Sequence, residues 1–443
     1  MSVPNCDLAI TRATVLPFDD AWSVLRDCDV VVREGRIAAI GYGAAVGVEA
    51  QALVDGRHLL VTPGMVNAHT HSPEALRRGA IDATLLQPWF ESVWRRLDAL
   101  DPEEIALAVQ LCAAEMLRSG VTAVVDHFRQ SPLSMRTTAA VARAWNETGL
   151  RATLALMLRD RAWPAWAAAP APTTGALLEL CTDAARQWHE PSGTLRVALG
   201  PSAPTRCSDE LLRGCARLAG DAGLHVHMHC DETTEEAALA RAMYGRSAVA
   251  HLGGLELLGP GVSLAHAVWV DEDDIAHLAA SGTAVVHNPV SNLRLGSGRA
   301  PLERFLAQGV RVAIGSDGAA SNDTQNVREA LKTAILLPRI VLREPGEWPT
   351  VYDALRMATA CPAAAFGLGS GTLAAGEPAD FACYDLREPA FSPVNDLHAQ
   401  FVLAGPGLAA RHVVVAGRMV LYEGEILTFD ESRTLAGAQA LAA

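Results

Sequence analysis

Five times between residues 119 and 310 a helix-like stretch stops at a glycine and an apolar strand starts at once. The junctions are Ser119-Gly120 before VTAVVD, Thr148-Gly149 before LRATLALM, Ala222-Gly223 before LHVHMH, Ser281-Gly282 before TAVVH and Gln308-Gly309 before VRVAIGSD. Glycine just past a helix end adopts the left-handed cap conformation without steric cost. Two further apolar strands, TLRVALG (194–200) and GVSLAH (261–266), fall into the same series, and LLVTPGMVNAH (59–69) precedes it. Eight strands alternating with helices predict an α/β fold, a (β/α)8 TIM-type barrel. An open doubly wound sheet is the alternative. The lack of a GxGxxG or GxxxxGK(S/T) element after the first strand argues against its nucleotide-binding version.

The helices between the strands carry their own start signals. DPEEIALAVQLCAAEMLRS (101–119) offers Asp101 as N-cap and Pro102 at the first helical position. DEDDIAHLAAS (271–281) opens on acidic residues, which the helix dipole favours. Both chain ends read differently. DVVVREGRIAAIG (29–41) is a hairpin pattern turning at Glu34-Gly35, and ADFACYDL (379–386) and HVVVAGRMVLYEGE (412–425) are short strands broken at Ala416-Gly417 and Glu423-Gly424.

Composition narrows the function. Half of the 443 residues are hydrophobic and 19% are charged, which excludes a disordered chain. The net charge of −14 disfavours binding to nucleic acid or anionic membranes. Nine cysteines, an odd number without CxxC spacing, point away from a disulfide framework and from a cysteine zinc cluster. The amino terminus lacks a signal-peptide pattern, and no apolar run reaches the roughly 20 residues of a membrane span. A cytoplasmic protein is expected.

Chemistry in such barrels sits at the carboxyl ends of the strands. There strand one delivers His69 and His71, strand five His227 and His229 followed by Asp231-Glu232, strand six His266, strand seven His287 and strand eight Asp317. Residues i and i+2 of a strand share a face, so His69 and His71 can bind one ion together. Three neutral imidazoles and a carboxylate suit Zn²⁺ or Fe²⁺ with an open position. His225 and His227 are surplus to a four-ligand site, so at least one is expected to be structural, and His127 is expected to orient or pack.

VTPGMVNAHTH (61–71), HMHCDET (227–233), AHAVWVDEDDIAHLAASGTAVVHNPVSNLRLGSG (265–298) and GSDGAASND (315–323) resemble the amidohydrolase superfamily. The likeness is to its mononuclear aminohydrolase branch of adenosine-type, cytosine and guanine deaminases and s-triazine hydrolases. It covers nearly the whole chain. It implies a catalytic barrel over 61–370 and a small β-sandwich made of 1–60 and 371–443. It implies His69, His71, His229 and Asp317 as ligands of one divalent metal ion, Glu232 as general acid/base, and His266 as the residue orienting water and substrate. Binuclear relatives bridge two metals with a carboxylated lysine on strand four. The chain's one lysine, Lys332, lies beyond strand eight. A dimer or higher homo-oligomer is also implied.

The expected reaction is hydrolytic deamination of an N-heteroaromatic ring. The ion activates water toward neutral pH, Glu232 protonates a ring nitrogen, and ammonia leaves. The same machinery would expel chloride, nitrite or an alkylamine. Residues 72–97 are expected to form a loop and helix over the pocket. Trp89 matches a tryptophan covering substrate in adenosine-type deaminases. Ribose-binding members carry an acidic residue at the position of Gln87, an arginine near Leu156 and a histidine at Ser202. These departures favour a free base, triazine, pterin or imidazole-type ring over an adenosine or S-adenosylhomocysteine substrate. Gln87, Trp89, Ser202 and His287 are the expected substrate contacts. Trp163 and Trp166 read as part of a surface loop, and a non-catalytic metal-binding scaffold is the reading from another class.

Overall fold

The computed structural model describes residues 6–98, 100–161, 172–368 and 371–442; Trp163 and Trp166 lie outside them. Two sheets organise the chain. The eight-stranded sheet comprises β1 (Met65–Thr70), β2 (Val121–Phe128), β3 (Arg151–Leu158), β4 (Leu195–Pro201), β5 (Val226–Cys230), β6 (Val262–His266), β7 (Ala284–His287) and β8 (Val312–Ile314). They pair in parallel in that order. The ring closes just beyond β8, where the Asp317 amide donates to the His69 carbonyl at 2.9 Å. The fold is a TIM-type barrel, and the five strands that follow a helix-ending glycine lie where that rhythm places them. The glycines behave as that rhythm demands: Gly120, Gly149, Gly223, Gly282 and Gly309 all have φ between +64° and +86°.

The first expected strand divides at Gly64. Leu59–Pro63 belongs to the other sheet, and only Met65–Thr70 enters the barrel. A Cβ on Gly64 would lie 2.1 Å from Thr122 Oγ1, so the chain turns between sheets where only glycine fits against β2.

The second sheet is mixed, has nine strands and joins the two chain ends. Its central link pairs Leu59–Pro63 antiparallel with Phe381–Asp385. The turns at Glu34-Gly35, Ala416-Gly417 and Glu423-Gly424 all have both central residues at positive φ, the two-residue geometry whose twist matches that of the flanking strands. After the last strand, a helix over Glu431–Ala442 leaves this sheet and packs on the barrel. Its Thr434 Oγ1 donates to Gln110 Oε1 at 2.9 Å, and Arg118 pairs with Glu431. The chain terminus therefore braces the helix between β1 and β2.

The segment after β1 forms a 3₁₀ turn (Ser72–Arg77) and then helix α1 (Leu86–Leu97). Leu86, Trp89, Phe90, Val93, Trp94 and Leu97 form its buried stripe, spaced at three and four residues as an amphipathic helix requires. That stripe closes the barrel mouth. Helix α2 (Pro102–Ser119) follows, and the Asp101 carboxylate caps it by accepting from the amides of Glu103 and Glu104. Among the described residues no helix is long and apolar enough to cross a membrane.

Candidate metal and active site

Three imidazoles at the barrel mouth have their Nδ1 atoms committed away from the centre. His71 Nδ1 donates to the His127 carbonyl at 2.7 Å and His229 Nδ1 to the Ser202 carbonyl at 2.7 Å. His69 Nδ1 meets His227 Nε2 at 2.7 Å, and His227 Nδ1 meets Ser263 Oγ at 2.7 Å. The β5–β6 register, His227 opposite Ser263, builds this relay. The Val226 carbonyl, 3.5 Å from Ser263 Oγ, takes the hydroxyl proton. Ser263 then accepts from His227, His227 accepts from His69, and His69 is left with a bare Nε2. Burial, followed by the neighbouring imidazoles, holds His69 and His229 well below the usual histidine range and His227 down to about 3. All three rings are neutral.

The bare nitrogens converge. His71 Nε2 and His229 Nε2 are 3.2 Å apart, and Asp317 Oδ1 lies 3.4 Å from both His69 Nε2 and His71 Nε2. His69 Nε2 is buried and has no hydrogen-bond partner. Facing lone pairs at this spacing repel unless a cation lies between them. A tetrahedral site with arms of about 2.0–2.1 Å has edges of about 3.3 Å. The donor set therefore fits a divalent metal ion. Asp317 is itself fixed, with Oδ1 accepting from the Gly318 amide at 2.8 Å and Oδ2 from Ser291 Oγ at 2.6 Å. Its φ of +63° and the +73° of His266 are left-handed, an uncommon conformation for such residues and one concentrated at functional sites.

Glu232 and His266 sit beside this centre. His266 Nδ1 donates to Asn292 Oδ1 at 2.8 Å, which turns Nε2 toward Glu232 Oε2 at 3.8 Å. Ser297 Oγ donates to Glu232 Oε1 at 3.2 Å. Burial pushes the Glu232 carboxyl up to about 7, although His266 opposes it. Burial works against charge on His266, but Glu232 and Asp317 outweigh it and raise its affinity for a proton.

A narrow cavity of about 10 Å³ lies over these groups. Leu86, Trp89, Phe90, Trp94 and Leu295 make its apolar wall, and His71, Glu74, His229, Glu232, His266 and Asp317 its polar one. Trp89 Nε1 donates to the Ala320 carbonyl at 3.1 Å and Trp94 Nε1 to Glu74 Oε1 at 3.0 Å, which ties the α1 stripe to the barrel rim. Charged residues back the wall. The Arg129 guanidinium covers Trp94 at 4.3 Å and pairs with Asp98; the Arg206 guanidinium lies 5.0 Å from the Phe90 ring and pairs with Glu236. Arg159, one residue past β3, lies near Asp98, Arg129 and Arg206. It makes no hydrogen bond among the described residues.

Of the residues singled out from sequence, His69, His71, His229, Glu232, His266, Asp317 and Trp89 come together here. Three others do not. Gln87 points to solvent from α1, because the helical period that buries Trp89 and Phe90 turns residue 87 outward. Ser202 is buried and offers His229 its backbone carbonyl. His287 is buried outside the cavity lining, with Nδ1 unpartnered, and burial holds it down to about 3. Leu156 is buried in the main core, and Arg159 lies three residues on, just past the end of the strand. His127 orients His71 through its carbonyl, as expected. Sequence reasoning passed over Glu74, Asp98, Arg129 and Ser263. Only their nearness to HTH (69–71), to the lid and to strand ends could have flagged them.

A model of the amidohydrolase family matches residues 60–420. The chain is 35% identical over 432 residues to the 5-methylthioadenosine/S-adenosylhomocysteine deaminase of Moorella thermoacetica, covering 96% of each. A zinc-bound adenosine deaminase from Xanthomonas campestris superposes with a TM-score of 0.89 at 29% identity, covering 99% of this chain and 98% of that one. A triazine hydrolase from Arthobacter aurescens superposes with a TM-score of 0.89 at 26% identity, over 99% and 100%. The chain belongs to the amidohydrolase family and is a hydrolase of carbon–nitrogen bonds with a divalent-metal site at its barrel mouth.

Proposed function

We propose that this protein deaminates the adenine ring of a 5′-substituted adenosine, using one zinc ion held by His69, His71, His229 and Asp317. The observation that carries the reading is one buried pocket in which that donor set adjoins Glu232, a carboxyl pushed up to about 7. The deaminase relative of Moorella thermoacetica, similar along the full chain, supports the substrate class. The expectation of a free ring rested on Gln87, Leu156 and Ser202. Their side chains lie outside the pocket lining, so they no longer argue against a sugar.

When bound, the ion brings the pKa of a water down from 15.7 toward about 7, which supplies a nucleophile at neutral pH. The Asp317 carboxylate, oriented by the Gly318 amide and Ser291, takes a proton from the attacking water. Glu232 gives its proton to the ring nitrogen beside the C–NH₂ carbon, which makes that carbon electrophilic. His266, fixed by Asn292, positions the developing hydroxyl and keeps Glu232 in place. Attack leaves a carbon bearing both OH and NH₂. Glu232, now a carboxylate, relays the proton of that hydroxyl to the amine, which departs as ammonia and leaves a C=O; the proton held by Asp317 then returns to Glu232 and resets the site. The aromatic wall of α1 excludes bulk water, and this dry wall is what keeps a carboxyl protonated near neutrality.

Ammonia release from zinc-loaded protein tests the reading. 5′-Methylthioadenosine is deaminated faster than free adenine, and Glu232→Gln abolishes both. Faster deamination of adenine would return the substrate class to free rings. A second reading, expulsion of chloride or an alkylamine from a triazine, is supported by the likeness to the triazine hydrolase. Halide or alkylamine release without ammonia release would select it.

A further inference from the structure

Asp317 lies just past β8, and its left-handed backbone, with φ at +63°, is held from both sides. Its amide donates to the His69 carbonyl at 2.9 Å. Its carbonyl meets Gln325 Nε2 at 3.0 Å, with the hydroxyls of Thr70 and Ser316 at 3.0 and 2.9 Å. Gln325 is fully buried and reaches back from the residues just ahead of the helix Val327–Leu336. The next residue, Asn326, caps that helix and donates to the Pro406 carbonyl, so the backbone that carries Gln325 is fixed. The reaction described above gives this side chain no task.

Its oxygen gathers donors from both sides of the seam where the barrel closes. Thr70 Oγ1 lies 2.8 Å from Gln325 Oε1, Ser316 Oγ 2.9 Å, Asn67 Nδ2 3.2 Å and Cys112 Sγ 3.5 Å. Thr70 stands between His69 and His71, and Ser316 precedes Asp317. One amide thus ties the histidine pair at the end of β1 to the carboxylate after β8. Counting protons shows why the tie is a glutamine. Each hydroxyl has one proton and two acceptors in reach, the Asp317 carbonyl and Gln325 Oε1. Asn67 spends one N–H on Ser316 Oγ at 2.7 Å and has a second for Oε1. Gln325 Nε2 adds a donor that the Asp317 carbonyl keeps however the hydroxyls turn. A carboxylate at 325 would accept from the same groups but set oxygen against oxygen at that carbonyl. A methionine would fill the volume and serve neither side.

We propose that Gln325 is a positioning residue that aims the Asp317 carboxylate at the metal centre, by holding its backbone left-handed and tying it to Thr70. The inference rests on reading Asp317 as a metal ligand and proton acceptor. Without the amide, the Asp317 carbonyl loses its fixed donor, and the turn relaxes toward the commoner backbone regions for a residue with a Cβ. The carboxylate then leaves its place 3.4 Å from His69 Nε2 and His71 Nε2. Both of its tasks suffer, binding the ion and taking a proton from water. Contacts to the substrate do not.

The test compares Gln325→Glu and Gln325→Met with the parent protein, loaded with zinc for kinetics and with cobalt for visible absorption. The cobalt bands report ligand geometry without any substrate. Both variants lose zinc affinity roughly 10- to 100-fold in chelator competition, the usual worth of an outer partner of a metal ligand. At saturating zinc, kcat for 5′-methylthioadenosine still falls about 10-fold or more, KM stays at the parent value, and the cobalt bands change in position and intensity. A glutamine that merely supports the fold would lower the melting temperature and leave the rest untouched. Zinc affinity, kcat or cobalt bands at parent values in a folded variant therefore overturn the proposal, as does failure of both variants to fold. If the parent protein releases no ammonia from the nucleoside, the deaminase reading fails by itself. Zinc affinity and the cobalt bands then decide for or against Gln325.

Discussion

Ser263→Ala probes the metal site from a residue that touches neither metal nor substrate. Ser263 is buried, and its Oγ is the far end of the relay through His227 to His69, with both links at 2.7 Å. Without the hydroxyl, His227 has two choices. It can keep its Nδ1–H with no acceptor, at about 1–3 kcal/mol for an unsatisfied buried donor. It can instead flip tautomer, point an N–H at His69, and force His69 to carry its own proton on Nε2. That proton sits where a metal ion must bind. The protein takes the cheaper path, so the loss in metal binding is bounded by the smaller cost. Outer partners of ligating histidines are typically worth 10- to 100-fold in affinity, or about 1.4–2.7 kcal/mol, the same range. Chelator competition for zinc reads this directly, with Ser263→Thr as the control that keeps a hydroxyl. The alanine variant loses zinc affinity 10- to 100-fold and regains full deaminase activity at saturating zinc. Zinc affinity within twofold of the parent would refute the relay.

Three further outcomes follow from the geometry. Gly315→Ala places a Cβ 2.2 Å from Asn288 Oδ1 and 2.8 Å from His69 Cβ; this overpacking costs about 1–3 kcal/mol, seen as a lower melting temperature together with weaker zinc binding. In the proposed mechanism Glu232 carries its proton at the start, and its carboxyl is pushed up to about 7, so kcat/KM falls as pH rises through neutrality, whereas a flat pH–rate profile from pH 6 to 9 would remove Glu232 as the acid. Asp98→Ala strips the carboxylate partner from Arg129, whose guanidinium covers Trp94; stability falls by about 1–3 kcal/mol, and KM rises more than kcat falls, as steady-state kinetics would show.

The barrel was legible because its signals are local. Each glycine cap lies within a few residues of the strand it precedes, and the alternation of helix and strand does not depend on which faces meet. The metal centre was legible for a related reason: strand ends of a barrel share one rim, so His69, His71, His229, His266 and Asp317 meet whatever their separation in sequence. The support of those residues was not legible. Ser263 reaches His69 only through a register between β5 and β6, and Asn292 reaches His266 only from the short helix (Pro289–Arg294) after β7. The lid was half legible. Its helix and Trp89 were expected, but the phase of that helix, which turns Gln87 to solvent and brings Phe90 and Trp94 inward, depends on where the helix starts. Glu74 escaped because a glutamate after HTH (69–71) reads as a solvated turn residue until the lid is seen to cover it.

The central claim is that one ion at this rim and the adjacent Glu232 make a deaminase. Metal-free protein titrated with zinc, with ammonia release from 5′-methylthioadenosine followed at each addition, tests it most directly. The account predicts no activity without metal, a linear rise, and a plateau at one ion per chain. Full activity in the metal-free protein, or no ammonia at any zinc level, would contradict it.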